Sequence, residues 1–292
     1  MTLTTKTKVS LAALAYKFIA TGRAMAGKNN FATVRRRGLT WNLDLSEGID
    51  FSIYLLGAFE RSTVIALEKL VKPGDVVFDI GANIGAHTLG LARSVGATGR
   101  VFAFEPTDFA FDKLERNLAL NPELKAHTYA RQVLLAATPD DSAPQEIFAS
   151  WPLEKDDSVH PKHRGRMATA RCARVDTLDR VVAREGIDRL DVIKIDVDGH
   201  ELPVLQGGLE ALKKFRPILV MEMSPYVHAE EQNSFSALVA LLRDAGYSIQ
   251  HASTWAPLPL QEQELEALIP DGASINVIAR SNDSSKRPAV SS

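Results

Sequence analysis

The sequence has one cysteine, no acidic residue before Asp44 and no long run of apolar residues. The lone Cys172 excludes an intramolecular disulfide framework and a cysteine-rich zinc site. So few cysteines are typical of proteins from reducing compartments, and we therefore expect a cytoplasmic location. No uninterrupted apolar stretch reaches the roughly 18–20 residues that a membrane-spanning helix requires, so none is predicted.

Acidic residues are missing from one part of the chain only, which makes the charge uneven. The first 43 residues carry eight Lys and Arg and no Asp or Glu, whereas the rest carries 26 basic and 36 acidic residues. The formal net charge of −2 therefore combines +8 on an N-terminal arm with −10 on the remaining body. The near-neutral net charge alone argues against an anionic partner. Because the arm is strongly basic, however, an anionic partner stays possible for it.

The basic arm contains an interrupted apolar segment at residues 9–26. Lys17 ends its apolar stretch, and Lys17 and Arg23 fit the polar side of an amphipathic helix. A secretory signal peptide is one interpretation, and peripheral contact of residues 1–43 with an anionic membrane is a second. A packed or solvated helix is the third and most ordinary one.

Apolar and polar residues alternate where the arm meets the acidic body. The four apolar residues from Leu39 to Leu45 recur with the period of two that is typical of a half-buried strand. We expect this strand to pair with residues 32–35 across a turn at residues 36–38, in a hairpin that covers the main domain. Residues 1–45 are thus interpreted as a basic N-terminal helix and hairpin.

The body has an ordinary globular composition, with 45% hydrophobic and 24% charged residues. Helical periodicity predicts helices over residues 49–71, 84–93, 107–118, 175–184, 201–214 and 235–245. Short apolar runs predict strands over residues 76–78, 100–104, 127–135, 190–195, 218–223, 247–250 and 276–279. This alternation predicts an α/β fold with a mostly parallel, doubly wound sheet covered on both faces. We assign residues 46–280 to this domain and expect a disordered polar tail over residues 281–292.

The turn after the first strand of this domain is rich in glycine and lies where doubly wound sheets bind ligands. Gly81 permits a tight turn, and Gly85 allows close helix packing. The dinucleotide pattern G-x-G-x-x-G is not met, because Asn83 stands where a glycine is expected. Asp79 repels a pyrophosphate but favours a cation such as the sulfonium and ammonium groups of S-adenosylmethionine. Glu105, after the next strand, is spaced to accept hydrogen bonds from ribose hydroxyls.

A second group of polar residues follows two later strands. Asp196, Asp198 and His200 come after the strand at residues 190–195, and Glu222 ends the next strand. We expect all four to lie at the sheet edge that carries the glycine-rich turn. His200 is the first candidate for a general base because its ordinary pKa lies near neutral pH, with Asp198 and Glu222 as competing candidates. These four ligand types would also suit magnesium or manganese, but no metal is assigned.

Several segments together resemble the FkbM-type family of S-adenosylmethionine-dependent methyltransferases. They read PGDVVFDIGANIGAHTLGLA, AFEP, TLDRVV, VIKIDVDGHELPVLQGG and PILVMEMSP, in the family's order, between residues 44 and 225. The resemblance implies a class I methyltransferase (Rossmann-like) fold with a seven-stranded sheet whose last strand is antiparallel. It implies methyl transfer to a hydroxyl oxygen on a sugar, glycan or secondary-metabolite intermediate. The residues expected to bind the cofactor are Glu60, Asp79, Gly81, Ala82, Asn83, Gly85, Glu105, Pro106 and Asp196.

Two other functions stay open from the sequence: a nicotinamide-dependent oxidoreductase on a similar sheet, and a non-catalytic binding module. The expected partner is a small-molecule or glycan acceptor, and no nucleic acid is expected. The basic loop at residues 160–166 either receives an anionic acceptor or is simply solvated. His87, on the first helix after the glycine-rich turn, is interpreted as packed or exposed rather than catalytic. The acceptor's identity and the oligomeric state are not readable from the sequence.

Overall fold

The protein is described by a computed structural model that covers residues 5–141, 146–154, 166–230 and 234–283. The strands are β1 Phe31–Arg36, β2 Leu39–Asp44, β3 Val76–Ile80, β4 Arg100–Phe104, β5 Thr128–Arg131, β6 Val133–Leu135, β7 Glu146–Ser150, β8 Arg166–Thr169, β9 Arg174–Asp176, β10 Val192–Ile195, β11 Ile218–Met223, β12 Tyr247–His251, β13 Pro257–Leu258 and β14 Ile275–Ser281. The helices are α1 Thr5–Met25, α2 Gly48–Leu56, α3 Arg61–Leu70, α4 Thr88–Val95, α5 Asp108–Ala119, α6 Pro122–Lys125, α7 Leu178–Arg184, α8 Glu201–Gln206, α9 Leu209–Phe215, α10 Pro225–Glu230, α11 Phe235–Asp244 and α12 Glu262–Glu266.

A single mixed sheet organises the body. Its strand order is β13-β12-β14-β11-β10-β3-β4-β5, and the five strands from β11 to β5 are mutually parallel. β14 is antiparallel to both of its neighbours, as expected for the last strand. The doubly wound α/β prediction is confirmed. The sheet has eight strands rather than seven, because the short β13 adds to the edge at β12.

Apolar side chains cover both faces of this sheet, which explains why its central strands are nearly continuous in apolar residues. Every residue of β3 is buried. One face packs against α7, α8, α9 and α11, and includes the neighbouring rings of Phe78, Phe102 and Phe104. The other face packs against α3, α4 and α5 together with the N-terminal hairpin. Helices on both faces leave the ends of the strands as the accessible positions for a site.

The predicted hairpin is present, since β1 pairs antiparallel with β2. The alternating residues of β2 are buried in the same apolar cluster as one face of the sheet. Asn117 of α5 and Asn121, which caps the start of α6, bind the outer edge of β2: Asn121 accepts from the Thr40 amide at 3.0 Å, and Asn117 accepts from the Asn42 amide at 2.8 Å. The Asn121 amide also donates to the Thr40 carbonyl at 2.8 Å. The division of the chain at residue 45 stays a prediction.

Helix α1 packs on α2 through one side. Tyr16 is buried, meets the Phe51 ring edge-on at 5.8 Å, and donates to Glu154 Oε1 at 2.6 Å. Within the described residues, no helix combines the length and the apolar character that crossing a membrane would need.

The helix predicted over residues 49–71 is wrong, because the structure breaks it into α2 and α3. Gly57 ends α2 in the left-handed conformation with φ of 79°. Glu60, also left-handed with φ of 44°, precedes α3. The helix predicted over residues 201–214 is likewise divided into α8 and α9 by Gly207 and Gly208. Helical spacing of apolar residues continues through both breaks, so the spacing alone does not reveal them.

Three more boundaries differ from the predictions. The helix predicted from residue 84 begins at Thr88, because the preceding residues form turns. The strand predicted over residues 127–135 is two strands, and β6 leaves the main sheet to pair with β9. β9 occupies the start of the helix predicted over residues 175–184, and Thr177 caps α7 by accepting from the Arg180 amide. Residues 160–165 of the predicted basic loop and residues 284–292 of the predicted tail lie outside the described residues.

Replacing Gly207 with alanine should destabilise the fold, whereas Gly90→Ala should not. A Cβ at Gly207 would stand 2.1 Å from the Ala136 carbonyl oxygen, which is backbone and unable to move aside cheaply. We expect a loss of about 1–3 kcal/mol in the free energy of unfolding. Gly90, inside α4, has no atom within 4 Å of such a Cβ, so Gly90→Ala should gain roughly 0.5–1 kcal/mol from helix propensity. Urea unfolding checks both, and equal effects would contradict the close approach at Gly207.

Candidate functional site

The predicted site residues come from strands whose carboxyl ends lie side by side in the middle of the sheet. β10 lies between β3 and β11, and β4 lies on the other side of β3. Glu105 follows β4, Asp196 follows β10, and Glu222 is near the end of β11. Glu60 joins this edge from the break between α2 and α3, where its Oε2 accepts from Asn276 Nδ2 at 3.2 Å. This is the edge at which open α/β sheets bind their ligands.

The glycine-rich turn is held tightly against β10 and β4. Gly81 has φ of 73°, and a Cβ there would stand 1.9 Å from the Asp196 carbonyl oxygen. The amides of Gly81 and Ala82 both donate to the Phe104 carbonyl, at 3.0 and 2.9 Å. Gly85 has φ of 88°, and a Cβ there would stand 2.9 Å from a leucine side chain of α5. Both glycines are therefore required by conformation and by space.

Glu105 fastens this turn to the end of β4. Its Oε2 accepts from the Asn83 amide at 2.9 Å, and its Oε1 accepts from the amide and the hydroxyl of Thr107 at 2.9 and 2.5 Å. Burial raises the pKa of Glu105, an effect that these hydrogen bonds partly offset. Because a carboxylate has about four acceptor positions, these three bonds leave about one position for a ribose hydroxyl. Contact of Glu105 and the adjoining Pro106 with a cofactor stays a prediction.

Asp79 has internal partners. Its side chain has 0% exposure; Oδ2 accepts from Thr88 Oγ1 at 2.6 Å, and Oδ1 lies 3.2 Å from Lys194 Nζ. Asp79 and Lys194 are paired in register on β3 and β10. Asp79 thus contacts a buried lysine. The direct contact with a cationic cofactor that the sequence suggested for Asp79 stays a prediction.

Lys194 is the functional residue that the sequence analysis missed. Its Nζ also donates to the Gly81 carbonyl at 2.8 Å and lies 3.6 Å from Asp196 Oδ2. Burial opposes its charge, but the attraction of Asp79 and Asp196 raises the pKa of Lys194 on balance. A signal was present in the sequence: a lysine inside an otherwise apolar buried strand requires an acidic partner, and Asp79 on the first strand was available.

Asp196, Asp198 and Glu222 form an acidic group at this edge, as predicted. Burial, together with repulsion among neighbouring carboxylates, raises the pKa of all three. Lys194 partly offsets this for Asp196 and Asp198, and the Ser274 hydroxyl donates to Glu222 Oε1. Asp198 adopts the left-handed conformation with φ of 46°, an unfavourable backbone state that often occurs at functional sites.

His200 has different neighbours from these carboxylates. Burial lowers the pKa of its ring, while Glu201, Asp141 and a hydrogen bond to the Leu135 backbone act in the opposite direction. Its Nε2 is buried and has no hydrogen-bond partner in the described part of the chain. The expectation that His200 acts with the acidic group stays a prediction.

Glu201 and His228 form a second buried pair that the sequence did not reveal. Glu201 Oε2 lies 3.1 Å from His228 Nε2, and both side chains are almost inaccessible. Glu201 Oε1 accepts from the amides of Val197 and Gly199, at 3.3 and 3.4 Å. Glu201 thereby holds the turn that carries Asp198.

His87 closes the edge from the side of α4. It is 4% exposed, and burial, assisted by the nearby charge of Lys194, lowers the pKa of His87 to about 3. One side-chain ligand atom from each of His87, Glu60 and Asp196 lies within 4.8 Å of the other two. The sequence offered packing or exposure for this histidine, and the structure shows burial beside two carboxylates.

These features define the class of the protein. Buried carboxylates at the carboxyl edge, beside a turn that excludes the dinucleotide pattern, suit a cationic cofactor with a ribose. The sheet order, with its antiparallel β14, is that of a class I methyltransferase (Rossmann-like) fold. The site therefore belongs to the S-adenosylmethionine-binding class of this fold.

Comparison with known proteins gives the same answer. Residues 79–249 match the FkbM methyltransferase domain. The hexuronic acid methyltransferase AglP of Haloferax volcanii is 29% identical over 161 residues, which cover 55% of this chain and 61% of the relative. The methyltransferase sdnD of Sordaria araneosa is 30% identical over 208 residues, covering 62% and 77%. The 31-O-demethyl-FK506 methyltransferase FkbM of Streptomyces tacrolimicus is 27% identical over 207 residues, covering 61% and 75%.

The domain match spans more than half of the chain, and the chain belongs to the FkbM methyltransferase family. S-adenosylmethionine is the cofactor of this family, which confirms the prediction made from the sequence and leaves the nicotinamide alternative without support. The chain spans about three fifths of the length of the Haloferax volcanii relative.

The pair of Lys194 and Asp79 can be tested by a double-mutant cycle. Lys194→Met leaves the Asp79 carboxylate buried and unpaired, so we expect a loss of about 3–5 kcal/mol in the free energy of unfolding. Adding Asp79→Asn should restore part of that loss, because the buried charge is then gone. Urea unfolding at neutral pH measures the four states of the cycle. Lys125→Met, which breaks an exposed pair with Glu115, serves as the control and should cost less than about 1 kcal/mol. Additive losses in the cycle would contradict the coupling.

Proposed function

We propose that this protein is an S-adenosylmethionine-dependent methyltransferase that methylates a hydroxyl oxygen of a sugar, glycan or secondary-metabolite intermediate. The observation that carries this proposal is the acidic edge at the ends of β10 and β11, where Asp196, Asp198 and Glu222 lie beside the glycine-rich turn. Family membership supports the reaction type.

The residues at this edge fit the cofactor's chemistry. Carboxylates attract its sulfonium and ammonium charges. The absence of a side chain at Gly81 lets a ligand approach the backbone, and Glu105 retains about one acceptor position for a hydroxyl. When bound, S-adenosylmethionine supplies an activated methyl group. Asn83, Gly85 and Pro106 shape the surface on which it would rest.

The protein's own contribution to the reaction is orientation and the removal of a proton. An acceptor hydroxyl must be held in line with the methyl group, which is an effect of position. Its proton must go to a base, and a carboxylate whose pKa is raised toward neutrality is suited to that task. Burial and the charges of Asp196 and Glu201 raise the pKa of Asp198, which makes its carboxylate a stronger base.

Asp198 is preferred over the two competing bases. Glu222 Oε1 already accepts from Ser274, and the ring of His200 interacts with the backbone of Leu135. In the described residues no hydrogen bond engages the carboxylate of Asp198. We therefore infer that Asp198 accepts the proton and that Glu222 contributes negative charge.

The names of the relatives indicate the range of acceptors. One relative methylates hexuronic acid, and another methylates 31-O-demethyl-FK506. Arg166, the described member of the basic loop, lies 2.7 Å from Glu47, so it is engaged within the protein rather than offered to an acid. The acidic edge itself favours a neutral hydroxyl over a carboxylate at the reacting position.

Asp198→Asn should lower kcat by about 10²-fold or more, because general-base catalysis contributes about 10²–10⁴-fold. His200→Gln should have a smaller effect. The measurement follows labelled methyl from S-adenosylmethionine into hexuronic acid saccharides, into 31-O-demethyl-FK506 and then into fractionated glycan extracts.

The stability of the product to alkali tests which oxygen is methylated. An ether formed on a hydroxyl survives mild alkali, whereas a methyl ester on a carboxylate is hydrolysed. An alkali-labile product would refute the hydroxyl assignment, and no transfer to any acceptor by folded protein would refute the enzyme itself. Gln263→Asn, in the remote helix α12, is the control for Asp198→Asn.

We also propose that the protein works in the cytoplasm and contacts anionic membranes peripherally through residues 1–43. The outward side of α1 carries Leu11, Leu14, Phe18 and Met25, which are 57%, 56%, 74% and 86% exposed. Their spacing of three, four and seven residues places them in one row along the helix. The exposed Lys17 lies beside this row, and the whole arm carries +8. An apolar row flanked by basic residues is typical of helices that lie in a membrane interface.

Phe18→Ser combined with Leu14→Ser should abolish most of the binding to vesicles that contain about one-third phosphatidylserine, since both apolar area and charge contribute to interfacial binding. Flotation measures the bound fraction, and binding should fall as salt is raised. Leu268→Ser, at a similarly exposed leucine outside the arm (54%), is the matched control and should bind as the unmodified protein does. Equal binding to neutral vesicles, or no effect of the double substitution, would overturn the membrane contact.

A further inference from the structure

His87 is a buried histidine without a partner. Neither ring nitrogen makes a hydrogen bond in the described part of the chain, and both are inaccessible. The neighbouring ring of Phe59 lies 6.2 Å away, centroid to centroid, and supplies no polar contact. A buried imidazole in this state costs free energy, so its position needs an explanation.

The ring points toward two carboxylates from separate elements. One ligand atom from each of His87, Glu60 and Asp196 lies within 4.8 Å of the others. A point between the three atoms can therefore lie within about 2.8 Å of each of them, which is within the length of a charge-assisted N–H···O hydrogen bond. The same three atoms can also hold a metal ion, whose bonds to oxygen and nitrogen are roughly 2.0–2.6 Å, because 4.8 Å is the upper limit of their separations.

We propose that Glu60, His87 and Asp196 form a binding site for a compact cation, either the ammonium group at the methionine end of the cofactor or a divalent metal ion. Binding of the cofactor's ammonium group rests on the proposed function, whereas binding of a metal ion does not. In both cases the two carboxylates supply charge and the imidazole supplies a neutral nitrogen lone pair. This set is different from the four residues that the sequence suggested for a metal.

The surrounding charges agree with a cation at this place. Asp198 and Glu222 add negative charge to the neighbourhood of Asp196 and Glu60. Lys194 is the described cation nearest to Asp196, and it is shared with Asp79. One lysine therefore balances only part of the acidic edge, and a bound cation would relieve the remaining repulsion.

Calorimetry with three probes distinguishes the two identities: S-adenosylhomocysteine, its analogue without the α-amino group, and Mn²⁺. The variants are His87→Phe, His87→Gln and Glu60→Gln, each first shown to be folded by its thermal transition. Two His87 variants are used so that failure of one to fold does not end the test. His127→Gln is the control, because His127 is also buried but bonds to the Ala92 carbonyl at 2.9 Å, away from this edge.

If the site takes the ammonium group, the variants should bind S-adenosylhomocysteine about 10–100-fold more weakly while binding the analogue unchanged. If it takes a metal ion, the unmodified protein should bind one Mn²⁺ per chain and the variants should lose it. Either result supports the site, and the control should resemble the unmodified protein.

The site is overturned if the folded variants bind all three probes as the unmodified protein does. That outcome is separate from failure of the proposed function, in which the unmodified protein binds neither S-adenosylhomocysteine nor its analogue. The proposed site would also be overturned if the variants bound S-adenosylhomocysteine and its analogue more weakly by the same factor. The amino group would then play no part in the lost affinity.

Discussion

The functional edge depends on one buried charge, the ammonium group of Lys194. It lies between two neighbouring strands, contacts Asp79 on β3 and Asp196 after β10, and binds the carbonyl of Gly81. A charge in this position is costly unless every partner is in place. The geometry of the turn, the register of two strands and the position of a site carboxylate are therefore coupled, and none of them can shift without affecting the others.

The uneven charge of the chain follows a division of tasks. Several acidic residues lie at the sheet edge, where burial and mutual repulsion raise the pKa of Asp196, Asp198 and Glu222. Basic residues concentrate in the arm, which packs on the body through Tyr16 and leaves an apolar row outside. The cofactor and the proposed anionic membrane would thus contact oppositely charged parts of the chain, although its total charge is close to zero.

Much of the fold was predictable, because strands buried on both faces and a glycine-rich turn leave strong local patterns. The class of cofactor followed from Asp79, the missing dinucleotide glycine at Asn83 and the spacing to Glu105. The helix breaks at Gly57 and Gly207 were not predictable, because apolar periodicity continues through them. Side-chain pairing was harder still: the contacts of Lys194 with Asp79 and of Glu201 with His228 join residues far apart in sequence.

The outer edge of the hairpin is covered by side chains of the body. One edge of β2 pairs with β1, and its other edge would ordinarily be a free template for a strand from another molecule. Asn117 and Asn121 occupy the backbone groups of Thr40 and Asn42 along that edge. The two amide side chains, one in α5 and one at the start of α6, thus take the place of a neighbouring strand, which protects the hairpin from edge-to-edge aggregation and from exchange between molecules.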